Sequence, residues 1–386
     1  MNVSELYVPD RDAIAITSMA RVGRQIYLGL TGGPRILAVY DVDTGSIETL
    51  QDIFPWVANR DYCTKLHNAL GALPDGSLLL GEGNHFTWDG LPVTTAYFDR
   101  ELPERMLGRK RAQGFPDAQY NDFCLRNLNG WDRRRTDPGG RIIRYDPVTG
   151  TTSDIARLPD FLYVQSMLVD SLNGRAYGHT LPGNNFFALD IEKGRLENFG
   201  RISDFAHHNM VVTPSGICYG GWFDRGDGAL KLLKYDPQEN RLHHRDQIIL
   251  PEIGPKVAGN QGVDQWLVTR NGRIFMGTVD QSRFFEFHPE DETFELLGTL
   301  SKGGRMTTMD EDADGMIWLG VDYPHMRLVR FDPAAHGRDR FIDYGRVNTT
   351  HERCYFHASC CFDGKLYLGE TDGFSPSLHI VELGAL

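Results

Sequence analysis

The sequence predicts an all-β protein, a seven-bladed β-propeller with a long insertion in the second blade. A turn of a small or polar residue and Gly, followed by a short apolar strand that ends in Gly, recurs seven times. An aromatic-Asp-Pro-like turn follows most copies. A repeat long enough for four strands is typical of propeller blades. Because neighbouring blades share their cores, residues 1–386 are expected to form a single domain.

Each repeat divides into an inner and an outer strand pair. In the fourth unit, Val211 and Val212 precede the turn at Gly216, and residues 217–219 follow it, which predicts the inner hairpin. The turn at residues 235–237 then links the outer two strands. The seven turn motifs begin near residues 22, 74, 173, 215, 271, 314 and 363.

The two ends of the chain are expected to meet. Residues 377–383 alternate in the manner of a strand. A propeller ring closes when the last blade takes a strand from the N-terminal segment, because no blade edge then stays open. The sequence therefore predicts pairing between this strand and the N-terminal segment.

The insertion spans residues 86–138 and shows little strand pattern. Residues 99–135 hold nine basic and six acidic side chains, against a net charge of −12 for the whole chain. One interpretation is a solvated loop with self-paired charges. The other is a lid that brings arginines such as Arg126 and Arg134 to an anionic ligand, since a guanidinium grips a carboxylate bidentately.

Composition narrows the class of protein. The net charge of −12 argues against a nucleic-acid binder. Six irregularly spaced cysteines do not predict a disulfide framework. We find no apolar run that would span a bilayer and no signal peptide, so we expect a cytoplasmic protein, or a periplasmic or secreted one if a leader was removed. Phosphate-loop, dinucleotide and serine-hydrolase motifs are absent from the sequence.

Two positions in each repeat are expected to point toward one face of the propeller, around its axis. One is the start of the innermost strand, and the other follows the Gly that ends the next strand. Histidine, tyrosine and charged side chains recur there, and imidazole and phenol groups are suited to proton transfer. These positions hold His67, Tyr163, His208, Arg305 and His357, and then His85, His179, Trp222, Arg225, Asp280, Asp322 and Asp372.

His67 and His85 are the predicted catalytic pair, because they lie at the same end of adjacent strands in one blade. Tyr163 is either a second proton carrier or a core aromatic. His208 is either a structural histidine or a substrate contact. His179, Trp222, Arg225 and Arg305 are further candidates for substrate binding.

Metal ligands are a separate question. Asp280, Asp322 and Asp372 would either cap turns or ring a calcium ion, which favours oxygen ligands. His357 and Cys360 are candidate zinc ligands, although the cysteine spacing in this segment fits no standard structural zinc site. We expect that the chemistry itself requires no cofactor.

The segments that carry His67 and His85 resemble those of the seven-bladed propeller polysaccharide lyases, the ulvan lyases and rhamnose–glucuronate lyases. That family carries two histidines about as far apart as these, on neighbouring strands. It also carries a tyrosine, matched by Tyr163, and an arginine sixteen residues later, where this chain has His179. Residues 357–372 are similar to the family's last blade.

The resemblance implies a lyase that cleaves a glycosidic bond next to a uronic acid by β-elimination, with a uronate-containing oligosaccharide or polysaccharide as its partner. In such a reaction the uronate carboxylate is neutralised, a base removes the adjacent proton and an acid protonates the leaving oxygen. Because His179 replaces the family arginine, Arg225, Arg305 or an insertion arginine would take that role. A glycoside hydrolase with a carboxylate pair and a non-catalytic binding propeller are the alternatives.

Overall fold

The computed structural model confirms the seven-bladed β-propeller. It describes residues 1–10, 13, 15–32, 35–50, 53, 64–84, 139–160, 162–181, 184–202, 209–223, 228–250, 262–279, 281–348, 354–371 and 376–385. Seven antiparallel blades are present, and their innermost strands contact one another in chain order. The contact of the innermost strand of the last blade with that of the first closes the ring.

The blades are four-stranded sheets that run from the axis outward. Blades 1 to 3 comprise β2 Ala15–Val22, β3 Gln25–Gly32, β4 Leu37–Asp41 and β5 Ser46–Leu50; β7 Leu70–Ala72, β8 Leu78–Gly81, β10 Arg141–Asp146 and β11 Thr151–Arg157; and β12 Tyr163–Asp170, β13 Arg175–Leu181, β14 Asn185–Asp190 and β15 Arg195–Arg201. Blades 4 and 5 comprise β16 Val211–Val212, β17 Cys218–Phe223, β18 Leu230–Asp236 and β19 Arg241–Leu250; and β20 Val263–Val268, β21 Ile274–Thr278, β22 Arg283–His288 and β23 Thr293–Thr299. Blades 6 and 7 comprise β24 Met306–Glu311, β25 Ile317–Val321, β26 Arg327–Phe331 and β27 Phe341–Arg346; and β28 Tyr355–Phe362, β29 Lys365–Thr371, β30 Ser377–Glu382 and β1 Val3–Tyr7.

Blade 7 takes its outermost strand from the N-terminal segment, as predicted. Strand β1 pairs antiparallel with β30, in a register that runs from Val3 opposite Val381 to Tyr7 opposite Ser377. Beside this closure, Tyr40 of blade 1 lies 5.5 Å from Tyr367 of blade 7, ring centre to ring centre. The ring is therefore closed by main-chain hydrogen bonds and by buried aromatic packing.

The glycines that end the second strands have a packing role. A Cβ added at Gly277 would lie 2.4 Å from the sulfur of Met306 in the next blade, and one at Gly369 would lie 2.6 Å from Ile16. Such distances are shorter than any normal carbon contact. Glycine recurs in the repeat because neighbouring blades approach the backbone closely there.

The polar turns close each unit as the motif predicts. The turn after Asp236 links β18 to β19, and the carboxylate of Asp236 accepts the backbone N–H of Gln238 at 2.9 Å. Between β16 and β17, Gly216 adopts a φ of 85°, a conformation that favours glycine. These turns fix the hairpin register within the blade.

The innermost strand of blade 2 is interrupted. Residues Thr64–Lys65 form the short strand β6, which pairs with β3 of blade 1 and with β9, Gly83–Asn84, whereas β7 begins at Leu70. Asn68 lies in the break with a φ of 46°, which a β-strand does not accommodate. The side chain of His67 therefore projects from an irregular segment next to the axis.

The remaining elements are short. In the part of the chain that the structure describes, two single turns of 3-10 helix occur at Gly337–Arg340 and Leu383–Ala385. No helix in the described ranges is long and apolar enough to cross a membrane. The predicted insertion, 86–138, begins after β9 and ends before β10, and it lies outside the described residues.

Candidate active site

The candidate active site is at the end of the axis where the innermost strands begin. His67, in the break of blade 2, lies against His357 of strand β28, with ring centres 4.7 Å apart and planes inclined at 57°. Both residues are buried, with 8% and 6% of their surface exposed. The structure thus brings two of the predicted histidines together. They belong to blades 2 and 7, which are distant in sequence but are the two neighbours of blade 1 in the ring.

A main-chain hydrogen bond sets the protonation of His67. Its Nδ1 lies 2.9 Å from the carbonyl oxygen of Gln165 in β12. A carbonyl only accepts, so Nδ1 carries the proton and the lone pair is on Nε2. The pKa of His67 lies well below its ordinary value, chiefly because of burial and then because of the charges of Lys65, His357 and Arg305, against the bond to Gln165. His67 is therefore a neutral base at neutral pH.

Two cations accompany this base. Lys65 is buried at the end of β6, and its Nζ donates to Oε1 of Gln165 at 2.8 Å. Arg305, immediately before β24, is partly exposed and grips the fully buried Asp264 through two bonds of 2.7 and 2.6 Å. Both cations lower the pKa of His67, and the buried carboxylate of Asp264 offsets part of the charge of Arg305.

Arg305 is held from three sides. Besides Asp264, Oδ1 of Asp322 accepts the backbone N–H of Arg305 at 2.6 Å. Burial raises the pKa of Asp322, against the hydrogen bond and charge of Arg305. The ring of Tyr355 lies 5.8 Å from the guanidinium carbon and 6.2 Å from the ring of His357. The guanidinium is thus fixed next to the histidine pair.

Tyr163 and His179 lie deeper in blade 3. Tyr163 begins β12, two residues before Gln165, and is almost fully buried against Gly140. His179 is 1% exposed and its Nδ1 lies 3.1 Å from Oγ of Ser166, on the strand next to the innermost one. Tyr163 therefore lies on the same strand as the carbonyl group that binds His67, whereas His179 occupies the blade interior.

Trp222 and Cys360 occupy positions away from the histidine pair. The indole of Trp222 donates to the carbonyl of Arg245 at 3.3 Å and lies edge-on to His244. Burial, and then the charge of Asp310, raises the pKa of Cys360 to about 12, so the thiol is protonated. A zinc site at His357 and Cys360 stays a prediction.

One trio of acidic and histidine side chains in the described part of the chain has metal-like spacing: Glu286, His288 and Glu295 on the outer strands of blade 5. Arg273 already holds the carboxylate of Glu286 through bonds of 2.7 and 2.6 Å. This trio lies outside the candidate site. The carboxylate of Asp322, a predicted calcium ligand, is turned toward Arg305.

Several predicted site residues lie outside the described ranges and stay predictions: His85, His208, Arg225, Arg126, Arg134, Asp280 and Asp372. The sequence reasoning did not assign Lys65, Gln165 or Tyr355 a role in the site. Strand periodicity could have identified two of them, because Lys65 and Tyr355 each lie two residues before a histidine that was selected as a site candidate. Residues spaced by two along a strand point to the same face.

Comparison with known proteins supports the fold. No family model and no curated protein matches the chain. Among solved structures, virginiamycin B lyase from Staphylococcus aureus superimposes with a TM-score of 0.59 at 9% identity, over 98% of this chain and 99% of that one. YCF48 bound to D1 peptide gives 0.55 at 12% identity, over 98% and 95%. Hydrazine synthase of Kuenenia stuttgartiensis gives 0.57 at 9% identity, over 96% of each chain. At such identities the likeness establishes a propeller and not specifically a polysaccharide lyase.

Proposed function

We propose that this protein is a carbon–oxygen lyase that removes a proton from a carbon atom next to a carboxylate. One observation carries the proposal: a neutral, buried His67 lies beside the cations Lys65 and Arg305. A base of this kind abstracts a carbon-bound proton efficiently only when the developing negative charge is stabilised. Lys65 and Arg305 supply that charge.

The reaction follows from these positions. A substrate carboxylate binds toward Arg305 and Lys65, which makes the proton on the adjacent carbon more acidic. Nε2 of His67 takes this proton, a carbon–carbon double bond forms, and the carbon–oxygen bond at the next carbon breaks with its electron pair going to oxygen. The leaving oxygen then takes a proton, for which Tyr163 and His85 are the predicted donors.

The substrate class we propose is a uronate-containing oligosaccharide. A 4-linked uronic acid has its carboxylate on the carbon that loses the proton and its glycosidic oxygen on the next one, as the elimination requires. The resemblance of the segments around His67 and His85 to uronate lyases supports this choice. A second solved structure, of a catalytically inactive histidine-to-alanine variant of virginiamycin B lyase with quinupristin, supports histidine-dependent lyase chemistry on a propeller; its TM-score is 0.58 at 9% identity.

The hydrolase alternative is less well supported by the described site. A glycoside hydrolase requires two carboxyl groups on either side of the scissile bond. Asp264 and Asp322 are the carboxylates next to Arg305, and both are engaged by it. Asp264 is also fully buried.

The test is a panel of uronate glycans, together with quinupristin, the molecule bound in the second solved structure. Elimination creates an unsaturated product with a new ultraviolet absorbance, whereas hydrolysis adds water and creates none, so absorbance and mass separate the two. We expect His67→Gln to lower kcat by about 10²–10⁴-fold. His243→Gln, on outer strand β19, is the matched control and should retain activity. An active His67→Gln enzyme would refute the assignment of the base.

A further inference from the structure

A polar cavity lies on the propeller axis directly below the histidine pair. Its volume is about 210 Å³. Each of the seven blades contributes to its wall, through Ser18, Asn68, Ser166, Asn209, Gln265, Met309 and His357. Several of these residues directly follow the site residues along their strands, so the cavity continues the site inward.

The wall of this axial cavity is suited to water. It presents uncharged hydroxyl and amide groups, and two of its lining residues, Asn68 and Trp266, carry buried donors that have no acceptor among the described residues. A buried donor without an acceptor is unfavourable. The volume holds several water molecules, and a polar wall with such donors favours their presence.

His357 connects this cavity with His67. Its ring lies 4.7 Å from that of His67, ring centre to ring centre, and the same residue forms part of the cavity wall. Among the described residues, the charged and titratable groups around the pair are Tyr355 beside His357, Arg305 over Tyr355 with its ion-pair partner Asp264, and Lys65 near His67. Because His357 contacts His67 and also lines the cavity, the cavity offers an exit for the proton.

We propose that the axial cavity holds water and that His357 passes the proton taken up by His67 to this water. The catalytic part of this inference rests on the proposed function, in which His67 is the base. After elimination the proton moves from Nε2 of His67 to the ring of His357, and from there to a cavity water. Both rings return to the neutral form, and no electron transfer is involved. His357 thereby acts through His67 and restores it for the next turnover.

The first experiment does not depend on the catalytic activity of the protein. Exchange of the ring C2 hydrogen of each histidine for deuterium, followed by mass spectrometry, reports contact with water. We expect His357 to exchange at nearly the rate of His243, which lies on the outer surface, although it is only 6% exposed. His379, with 0% exposure, should exchange at least about tenfold more slowly.

A cavity variant provides the matched comparison. Ser359, in the cavity wall, is replaced by Phe to fill the space and by Ala as the control. Ser359→Phe should slow the exchange of His357 by about tenfold or more, and Ser359→Ala should leave it unchanged. If wild-type His357 exchanges as slowly as His379, the cavity is dry and the inference is wrong, whatever the activity of the protein.

The second experiment tests the relay in turnover. His357→Gln should lower kcat by about tenfold or more with little change in KM, and added imidazole should restore much of the loss. A loss that imidazole does not restore, or one confined to KM, would overturn the relay while leaving the lyase proposal intact. A wild-type protein that eliminates none of the substrates would overturn the proposed function and the catalytic part of the relay, but not the exchange result.

Discussion

Replacement of Asp310 by Asn should stabilise the protein at neutral pH. Asp310 lies near the end of β24 and accepts the backbone N–H groups of Cys361 in the next blade and of Glu311. Burial raises the pKa of this carboxyl from 3.8 to about 6, against those two hydrogen bonds. The folded protein therefore holds this proton at pH values where the unfolded chain releases it.

The magnitude follows from linkage. A difference of about two pKa units corresponds to about 3 kcal/mol, an upper figure because the residue keeps some contact with solvent. Since the folded state binds more protons between about pH 4 and pH 6, stability falls as the pH rises through this window. The amide of Asn carries no such penalty, but it accepts only one of the two N–H groups well, at a cost of about 1 kcal/mol. The expected net gain at pH 7 is about 2 kcal/mol.

Urea unfolding of the wild type and of Asp310→Asn between pH 4 and pH 8 measures this difference. The gain should be largest at pH 7–8 and should vanish or reverse at pH 4 as the wild-type carboxyl binds its proton. Asp246→Asn is the control, because its side chain is fully exposed on strand β19. The reasoning is refuted if the free energies of unfolding of the wild type and of Asp310→Asn stay parallel across this pH range.

Two further substitutions test the site and the ring closure. Arg305→Lys removes the two hydrogen bonds to Asp264 that fix the position of the cation in the site. The value of kcat/KM toward an anionic substrate should therefore fall about tenfold or more. Unchanged steady-state kinetics would exclude Arg305 from substrate binding. Ser377→Ala removes a buried hydroxyl whose single O–H donates to Glu370 at 2.9 Å or to Glu5 at 3.0 Å, and should lower the free energy of unfolding by about 1–3 kcal/mol. An unaltered urea midpoint would contradict that role.

The sequence was sufficient to predict the blades because their turns and strand-ending glycines repeat. These glycines repeat because a larger side chain would clash at their positions, as at Gly277 and Gly369. The starts of the innermost strands were also predictable, and they brought His67, Arg305 and His357 to one end of the axis. Their partners were not predictable. The bond from His67 to Gln165 and the pair of Arg305 with Asp264 join residues far apart in the chain, on neighbouring blades, and a single sequence contains no record of which side chains meet between two blades.

The interrupted strand of blade 2 was missed for a different reason. It depends on the positive φ of Asn68, a conformation that asparagine tolerates but that the presence of an asparagine does not predict. A regular strand would have been the ordinary expectation for that segment, and it would have placed His67 in a different orientation.

The pairing of β1 with β30 has a consequence for the order of folding. Strand β1 is synthesised before the other strands of the propeller described above but has no partner until β30 emerges, after six blades are complete. During that interval β1 is an unpaired segment and β2 lacks the neighbouring strand β28. Closing so long a loop costs only slightly more entropy than closing one half as long. The last step of folding is therefore expected to convert an open row of blades, packed on one another, into one closed cooperative unit, with hydrogen exchange in β1 and β30 as slow as in the central strands.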